Sequence, residues 1–200
     1  NSIYAVLRMV AQLLLVGYCL TYIFESGNAI FTIGILSVMV FAASWIALRT
    51  IPEKRKPYFH YALISILIGG GLTLLLVTQF VLKLNPWFLP QYMIPLAGMI
   101  LASSMNGVSL AAERLHAEMN RGESYLDSRG IALRAALIPI TNSLFAVGLV
   151  SLPGMMTGQI LSGVSPLIAV RYQIMVMCMI FSAVGLSSSL FLYFLRREKT

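Results

Sequence analysis

Charged residues are scarce in this sequence, at 10% of its 200 residues, against about 25% in soluble globular domains. Hydrophobic residues make up 58% of the chain, and the mean hydropathy is +0.85. This composition favours a membrane protein over a soluble one. Because helices satisfy their own backbone hydrogen bonds in lipid, it predicts an all-α, polytopic transmembrane helix bundle that forms a single domain over residues 1–200.

Sequence signatures of catalysis and nucleotide binding are also lacking. There is no G-x-x-x-x-G-K-[ST], so the chain does not bind ATP in the P-loop manner. His60 and His116 are isolated, and no Cys/His spacing indicates zinc. Ser187, Ser188 and Ser189 lack a G-x-S-x-G elbow, so helix packing is the simpler interpretation. We therefore expect a non-enzyme with no catalytic residue, no cofactor of its own and no certain metal ligand.

Cysteine is limited to Cys19 and Cys178, each within an apolar run, where a small buried thiol is the simplest interpretation. No cleavable signal peptide is visible, and the sequence begins without methionine, so a further span upstream is expected. The net charge of +7 does not indicate nucleic-acid binding, because the basic residues lie between apolar spans rather than along one face.

Six apolar runs are long enough to cross a hydrocarbon core of about 30 Å at about 1.5 Å per residue. They are predicted at residues 3–24, 29–48, 61–84, 92–112, 135–152 and 174–195. If the loops after the second and fourth spans and the C-terminus are cytoplasmic, 11 of the 14 basic residues lie inside. Lys83 and Arg171 then lie outside, and the positive-inside rule favours this orientation in a plasma or inner membrane.

The segment between the last two spans, residues 147–171, is both apolar and rich in helix breakers. It reads VGLVSLPGMMTGQILSGVSPLIAVR, and its prolines and glycines disfavour one continuous helix. Broken backbone near membrane depth needs protein or a water-filled cavity to satisfy its polar groups. The segment is therefore predicted to form a pathway or a packing element at the outer side.

Two interpretations of this segment stay open. In the first, Pro153, Gly154 and Gly158 form a non-helical or kinked passage that places Met155, Met156 and Gln159 against the translocation route. In the second, Gly154 and Gly158 form a helix-packing seam of the G-x-x-x-G type.

Soft sulfur is concentrated near this segment, and thioethers select soft metals such as Cu(I). Since the methionines of the last span are spaced by two, they do not share a helix face. Flexible core filling is therefore favoured over a metal relay. The residues concerned are Met155, Met156, Met175, Met177, Cys178 and Met179.

Several sequence blocks resemble one known family. They are RMVAQLLLVGY at 8–18, YMIPLAGMILASSMNGVSLAA at 92–112, RAALIPITNS at 134–143, LVSLPGMMTGQI at 149–160 and P-x-x-A-V-R-Y-Q-I at 166–174. They resemble the membrane subunit of Fet-type ABC transporters, the iron-export permeases to which a plant aluminium-tolerance subunit is related. Ala102 and Ser103 replace the usual Gly-Asn of that family. The matching motif positions are Arg8, Pro95, Gly98, Pro139, Pro153, Gly154, Gly158, Arg171 and Gln173.

The resemblance implies a homodimeric permease in the lipid bilayer that exports iron or another metal ion, with ATP hydrolysed by a separate ATP-binding cassette subunit. Residues 113–134, the longest hydrophilic stretch, are the candidate ATPase-docking loop, although the family's L-A-L-G-A-T-P is not found there. The candidate docking residues are Arg121, Glu123 and Arg129.

A stand-alone channel, a secondary carrier or a structural membrane protein is the alternative function. No carboxylate lies within a predicted span to take a coupling proton, which disfavours a carrier. Arg8 and Gln12 share one helix face, where Arg8 is predicted to reach the cytoplasmic interface and Gln12 to bridge helices. The polar residues Gln12, Asn106 and Asn142 are pathway candidates under either function.

Overall fold

The computed structural model of the chain describes residues 2–26 and 28–196. The side chains of Arg8 and Cys19, and the C-terminal Arg197 and Lys199, lie outside the described part. The predictions made above for these four residues are therefore not taken further.

The described residues form an all-helical bundle, as predicted, with no strand among them. Six long helices and one short helix follow one another along the chain. They are α1 (Ser2–Ser26), α2 (Ala29–Ala47), α3 (Arg55–Leu75), α4 (Pro90–Asn120), α5 (Tyr125–Ala146), α6 (Gly154–Leu161) and α7 (Pro166–Leu195). Short 3₁₀ turns join α2 to α3, and a π-helical stretch, Leu76–Val81, extends α3.

Among the described residues, four helical stretches are long and apolar enough to cross a membrane: Ala29–Thr50, Pro52–Val81, Pro90–Asn120 and Pro166–Leu195. Within α1, the strongly apolar part is the shorter Met9–Tyr18. Helix α5 carries Asp127, Arg129 and Arg134 in its first half, so only its second half is free of charged residues. The predicted polytopic helix bundle is confirmed.

The hydrophilic stretch at residues 113–134 is not a long loop, which corrects the expectation from composition. Helix α4 continues to Asn120 and α5 begins at Tyr125, so only a four-residue turn separates them. The continuation is favoured because this part of α4 is rich in Ala, Glu, Leu and Arg, all good helix formers. On this helix, the buried Glu118 carboxylate lies 2.7 Å from the Arg114 guanidinium and 3.3 Å from that of Arg121.

The turn between α4 and α5 is built from local signals. The Glu123 N–H donates to the Glu118 carbonyl and the Gly122 N–H to the Met119 carbonyl, the pair of bonds that defines a Schellman motif. Gly122 has φ of +92°, a conformation that costs little only without a Cβ. Ser124 then caps α5, accepting from the Asp127 N–H and donating to its carboxylate at 2.5 Å.

The turn is tied to the end of α7. The Tyr125 hydroxyl donates to the Leu192 carbonyl, and Tyr125 lies near Tyr58, Arg129 and Arg196. Burial raises the pKa of Tyr125 above its ordinary value, so the phenol is a neutral donor at physiological pH. The start of α3, the α4–α5 turn and the end of α7 therefore form one end of the bundle, here called the basic end.

Removing this hydroxyl in Tyr125→Phe is expected to lower the free energy of unfolding by about 0.5–1.5 kcal/mol, because the variant loses one hydrogen bond and keeps the ring. Thermal unfolding of the purified protein in a fixed detergent would measure the change. Tyr92→Phe is the matched control, because Tyr92 is 47% exposed at the opposite end of α4. An equal loss in both variants would contradict a specific role for the Tyr125 hydroxyl.

Helix α7 packs between α3 and α4 through small residues. The Ser187 hydroxyl donates to the Ser104 hydroxyl at 3.1 Å, and both side chains are fully buried. Gly69 faces Ser187, while Gly107 faces Val184 and Ser188 so closely that a Cβ at either glycine would lie under 3 Å from a neighbouring atom. α3 and α7 therefore approach closely at Gly69, the first residue of the triplet Gly69-Gly70-Gly71, and the buried Ser187 and Ser188 act in packing.

The segment rich in proline and glycine is broken, as predicted, but it is more helical than expected. After α5 ends at Ala146, residues 154–161 form α6, and Pro166 starts α7, so residues 166–171 belong to a long helix. Pro153 and Pro166 fit because they stand at or just before the first helical turn, where a missing N–H costs nothing. Gly163, with φ of +88°, ends α6 in a second Schellman motif.

Candidate functional site

Helices α4 and α7 contribute to two neighbouring clefts. The first, here called the polar cleft, has a volume of about 180 Å³ and lies where α4, α5 and α7 meet. Asn106, Ser103 and Ser143 supply its polar groups, and Pro139 and Gly107 line it as well. Since Asn106 lies near the middle of α4, this is a polar surface within a membrane-spanning helix.

The second cleft, here called the methionine cleft, lies toward the start of α4 and has a volume of about 600 Å³. Three thioethers line it, each from a different helix: Met99 of α4, Met155 of α6 and Met175 of α7. The remaining lining residues are Leu82, Gln91, Tyr92, Pro95, Leu96, Gln159, Val164, Ile168 and Tyr172. None of the lining residues is Asp, Glu, His or Cys.

Asn106 and Met99 are seven residues apart on α4, which places them on the same helix face about 10 Å apart along the axis. On α7, Ile180 lines the polar cleft and Met175 lines the methionine cleft. The two clefts therefore follow each other along the same two helices, from mid-bundle toward the end opposite the basic end.

A third cavity, here called the cysteine cavity, has a volume of about 320 Å³ and lies between the end of α5, α6 and α7. It is lined by Met156, Gln173, Met177 and Cys178 together with apolar residues. Cys178 is exposed, which corrects the expected buried thiol. The apolar run that contains it packs against neighbours on only part of its circumference.

Two glutamines in this region have side-chain oxygens that are buried without a partner. The Oε1 atoms of Gln159 and Gln173 accept no hydrogen bond from the described protein. Leaving such a group unsatisfied costs about 1–3 kcal/mol. A water molecule or a bound solute would remove this cost, so both oxygens indicate places where a polar ligand is favoured.

The residues predicted to line the translocation pathway do not all lie in the same cavity. Asn106 lies in the polar cleft, Met155 and Gln159 line the methionine cleft, and Met156 lies in the cysteine cavity. Gln12 and Asn142 are exposed and line none of the three. Met179 fills the core, as expected for a flexible apolar side chain.

The predicted roles of Gly154 and Gly158 need correction. Both lie within α6, so they do not form a non-helical passage. A Cβ built at either glycine would meet no atom of the described chain within 4 Å, so they form no seam with another described helix. Sequence reasoning could not decide this, because G-x-x-x-G spacing shows which residues share a face but not what that face contacts.

The other motif residues have varied environments. Pro95 lines the methionine cleft and Pro139 the polar cleft, while Arg171 is exposed. A Cβ at Gly98 would lie 3.6 Å from the Met39 methyl carbon, an ordinary contact. Gln173, selected only as a structural motif residue, is 7% exposed in the cysteine cavity.

The sequence patterns do not single out Met99 or Tyr172, which line the methionine cleft. Both residues lie within blocks that resemble the family, at 92–112 and 166–174. Spacing along α4 supplied a signal for Met99, since it lies four residues after Pro95 and shares its face. No comparable signal shows that a residue of α6 completes the cleft.

At the basic end, Arg121 and Glu123 are exposed in the α4–α5 turn, and Arg129 is half-buried beside Tyr125. Leu126, next to this turn, is 64% exposed, so the turn presents an apolar side chain among charged ones.

Residues 1–199 match the family described as Uncharacterised protein family (UPF0014). The chain belongs to this family. Among similar proteins, the UPF0014 membrane protein slr1647 of Synechocystis is 36% identical over 188 positions, covering 86% of this chain and 73% of that protein. The Probable iron export permease protein FetB of Escherichia coli is 35% identical over 217 positions, covering 99% of this chain and 81% of FetB.

Plant proteins are similar as well. Protein ALUMINUM SENSITIVE 3 of Arabidopsis thaliana is 33% identical over 206 positions, covering 94% of this UPF0014 chain and 73% of that protein. No solved structure matches. The expected family is confirmed, since FetB and a plant protein named for aluminium sensitivity are among its relatives.

Proposed function

We propose that this UPF0014 chain is the permease subunit of an ABC transporter that exports iron or another metal ion, with ATP hydrolysed by a separate subunit. The observation that carries the proposal is the succession of the polar cleft and the methionine cleft along α4 and α7. The name of FetB as a probable iron export permease supports the direction and the substrate class.

The polar cleft supports a route because polar groups are costly against lipid. Asn106 is exposed on the single chain, although it lies in the middle of a helix apolar enough to span a membrane. Polar side chains at this depth usually face the interior of an assembly or a water-filled cavity. A homodimer in which two such faces meet would give Asn106 either environment, and we propose this assembly.

Neither the polar cleft nor the methionine cleft contains Asp or Glu. A proton-coupled carrier needs a titratable group on its route, so this lining disfavours the alternative of a self-sufficient carrier. A neutral route is compatible with a transporter that takes its energy from a partner at the basic end.

The basic end supports both the orientation and the docking site. The start of α3, the α4–α5 turn and Arg196 bring many of the basic residues together, which favours a cytoplasmic location for this end and for the C-terminus in an inner or plasma membrane. An ATPase subunit would contact the turn at Arg121, Glu123 and Arg129, with Leu126 as an apolar anchor.

Leu126→Asp is expected to reduce the amount of ATPase subunit that copurifies with the full-length protein by about tenfold or more, since a buried anchor contributes about 2 kcal/mol to an interface. The measurement is affinity purification after coexpression with candidate ATP-binding cassette subunits from the same genome. Leu149→Asp is the matched control, because Leu149 is 89% exposed but lies at the other end of α5.

The outcomes separate the hypotheses. Capture of an ATPase by the control but not by Leu126→Asp supports both the ABC assembly and this docking site. Equal capture by both variants contradicts the docking site alone. If the unmodified protein captures no ATPase, the ABC assignment fails and a stand-alone channel or structural membrane protein takes its place.

A further inference from the structure

We propose that the methionine cleft is a binding site for a soft monovalent metal ion, of which Cu(I) is the biological example. The inference names a substrate class for the proposed transporter and rests on the proposed function only for the role of the site in transport. The binding itself follows from the residues that line the cleft.

The first argument is the set of donor atoms. Met99, Met155 and Met175 each bring a thioether to one cleft from three separate helices. Thioether sulfur is a soft, neutral ligand that selects Cu(I), whereas Fe²⁺ and Zn²⁺ are usually held by imidazole, thiolate or carboxylate and Mg²⁺ by carboxylate. Since the lining has no His, Cys, Asp or Glu, it offers hard and borderline dications no charged ligand.

The second argument is the charge of the ion. The desolvation cost of moving an ion from water to an apolar site grows with the square of its charge. The cleft supplies only neutral ligands, so nothing offsets the larger cost of a dication. A monovalent soft ion has the smaller desolvation cost and forms favourable bonds to sulfur.

The third argument is the arrangement of the ligands. Met99 and Met175 pack against a core cluster that contains Leu96, Ile100 and Val176, so two of the three side chains stand on a rigid surface. Met155, on the short helix α6, is 36% exposed. The Gln159 Oε1, buried and unpartnered one turn after Met155, adds a polar atom that accepts a contact from a bound ion or from its water.

Core filling does not account for these positions. Met179, which does fill the core, is 2% exposed and has neighbours on every side. The three cleft methionines instead border an open space of about 600 Å³, so each side chain has a surface that no described residue covers. On helix α7, Met175 therefore has the environment of a ligand, whereas Met179 has that of a structural core residue.

Binding of Cu(I) to the full chain in lipid nanodiscs, without ATPase or nucleotide, tests the proposal. Competition with the chelator bathocuproine disulfonate under anaerobic conditions gives the affinity, and Ag(I) serves as a redox-stable probe. All variants carry Cys19→Ser and Cys178→Ser, because either free thiol would bind Cu(I) or Ag(I) by itself. X-ray absorption reports whether sulfur surrounds the metal.

Met155→Leu/Met175→Leu is expected to weaken Cu(I) binding by about 100-fold, at least tenfold per thioether, since even outer-shell partners of metal ligands contribute about 10- to 100-fold. The matched control is Met39→Leu/Met105→Leu, which replaces two methionines packed on the core away from the cleft. Both variants conserve volume, so both should fold. Thermal unfolding checks this.

Equal affinity in the two double variants, a metal shell without sulfur, or binding of Zn²⁺ or Fe²⁺ as tight as that of Cu(I) would overturn the site. Such a result would leave the permease assignment untouched, because no transport or ATPase is involved. Conversely, failure to capture an ATPase would leave the metal site intact.

Discussion

Gly69→Ala is expected to lower the free energy of unfolding by about 1–3 kcal/mol, the usual cost of overpacking a tight core. A Cβ at this position would lie 2.5 Å from the Ser187 hydroxyl and 2.7 Å from the Ser187 backbone nitrogen. The hydroxyl can rotate away, but the backbone of α7 cannot move without disturbing its contact with α4. Thermal or denaturant unfolding in one fixed detergent measures the loss.

Gly71→Ala is the matched control within the same triplet. A Cβ there would meet nothing within 4 Å, so the variant should be neutral or gain up to about 1 kcal/mol from the better helix propensity of Ala. Equal destabilisation by the two substitutions would show that the cost arises from the backbone of α3 rather than from the contact with α7.

The membrane spans were predictable because each one depends on the length and apolarity of a single local run of residues. The ends of the helices were less predictable, because a hydrophilic residue can either extend a helix or begin a loop. The charged residues after Ala112 indicated a loop, yet good helix formers and the Glu118 ion pairs carry α4 onward to Asn120. Gly122 was the better signal, since the αL position of a Schellman motif favours glycine.

Helix α6 shows a different limit of sequence reasoning. The prolines and glycines of residues 147–171 correctly predicted an interrupted helix. The prediction, however, treated the whole segment as broken backbone. The breakers act at boundaries: Pro153 precedes α6, Gly163 follows it and Pro166 opens α7. Eight residues between these boundaries are free to form a helix.

The division of the methionines depends on tertiary structure. Met155 and Met156 are adjacent on α6, so they point about 100° apart, and Met175 and Met177, two residues apart on α7, point about 160° apart. The sequence therefore predicts that the two methionines of each pair face different directions. Which member of each pair faces α4 depends on how α6 packs against α7, and no local pattern encodes that packing.

The same reasoning changes what the exposed asparagines mean. Asn106 and Asn142 are both polar, both exposed and both on long helices, so the sequence gives no ground for choosing between them. The structure separates them, because Asn106 lines the polar cleft with Ser103 and Ser143, and Asn142 does not. A comparison of the two therefore tests whether the cleft, rather than polarity in general, matters for transport.

Asn106→Leu is expected to reduce metal-ion export by about fivefold to 100-fold, because loss of one polar contact to a passing ion costs about 1–3 kcal/mol. Leu has the same number and branching of side-chain heavy atoms as Asn, so it removes the polar groups with little change of side-chain shape. The measurement is export from cells or inverted vesicles with abundance and ATPase capture held equal.

Asn142→Leu should export normally in the same assay, since its side chain lies outside the three cavities. Normal export by both variants would remove the polar cleft from the route. Equal losses in both would place the important surface on α5 as well as α4, as expected if a second copy covers the two asparagines together. A loss confined to Asn106 assigns the route to the α4–α7 face, where the polar cleft leads directly to the methionines.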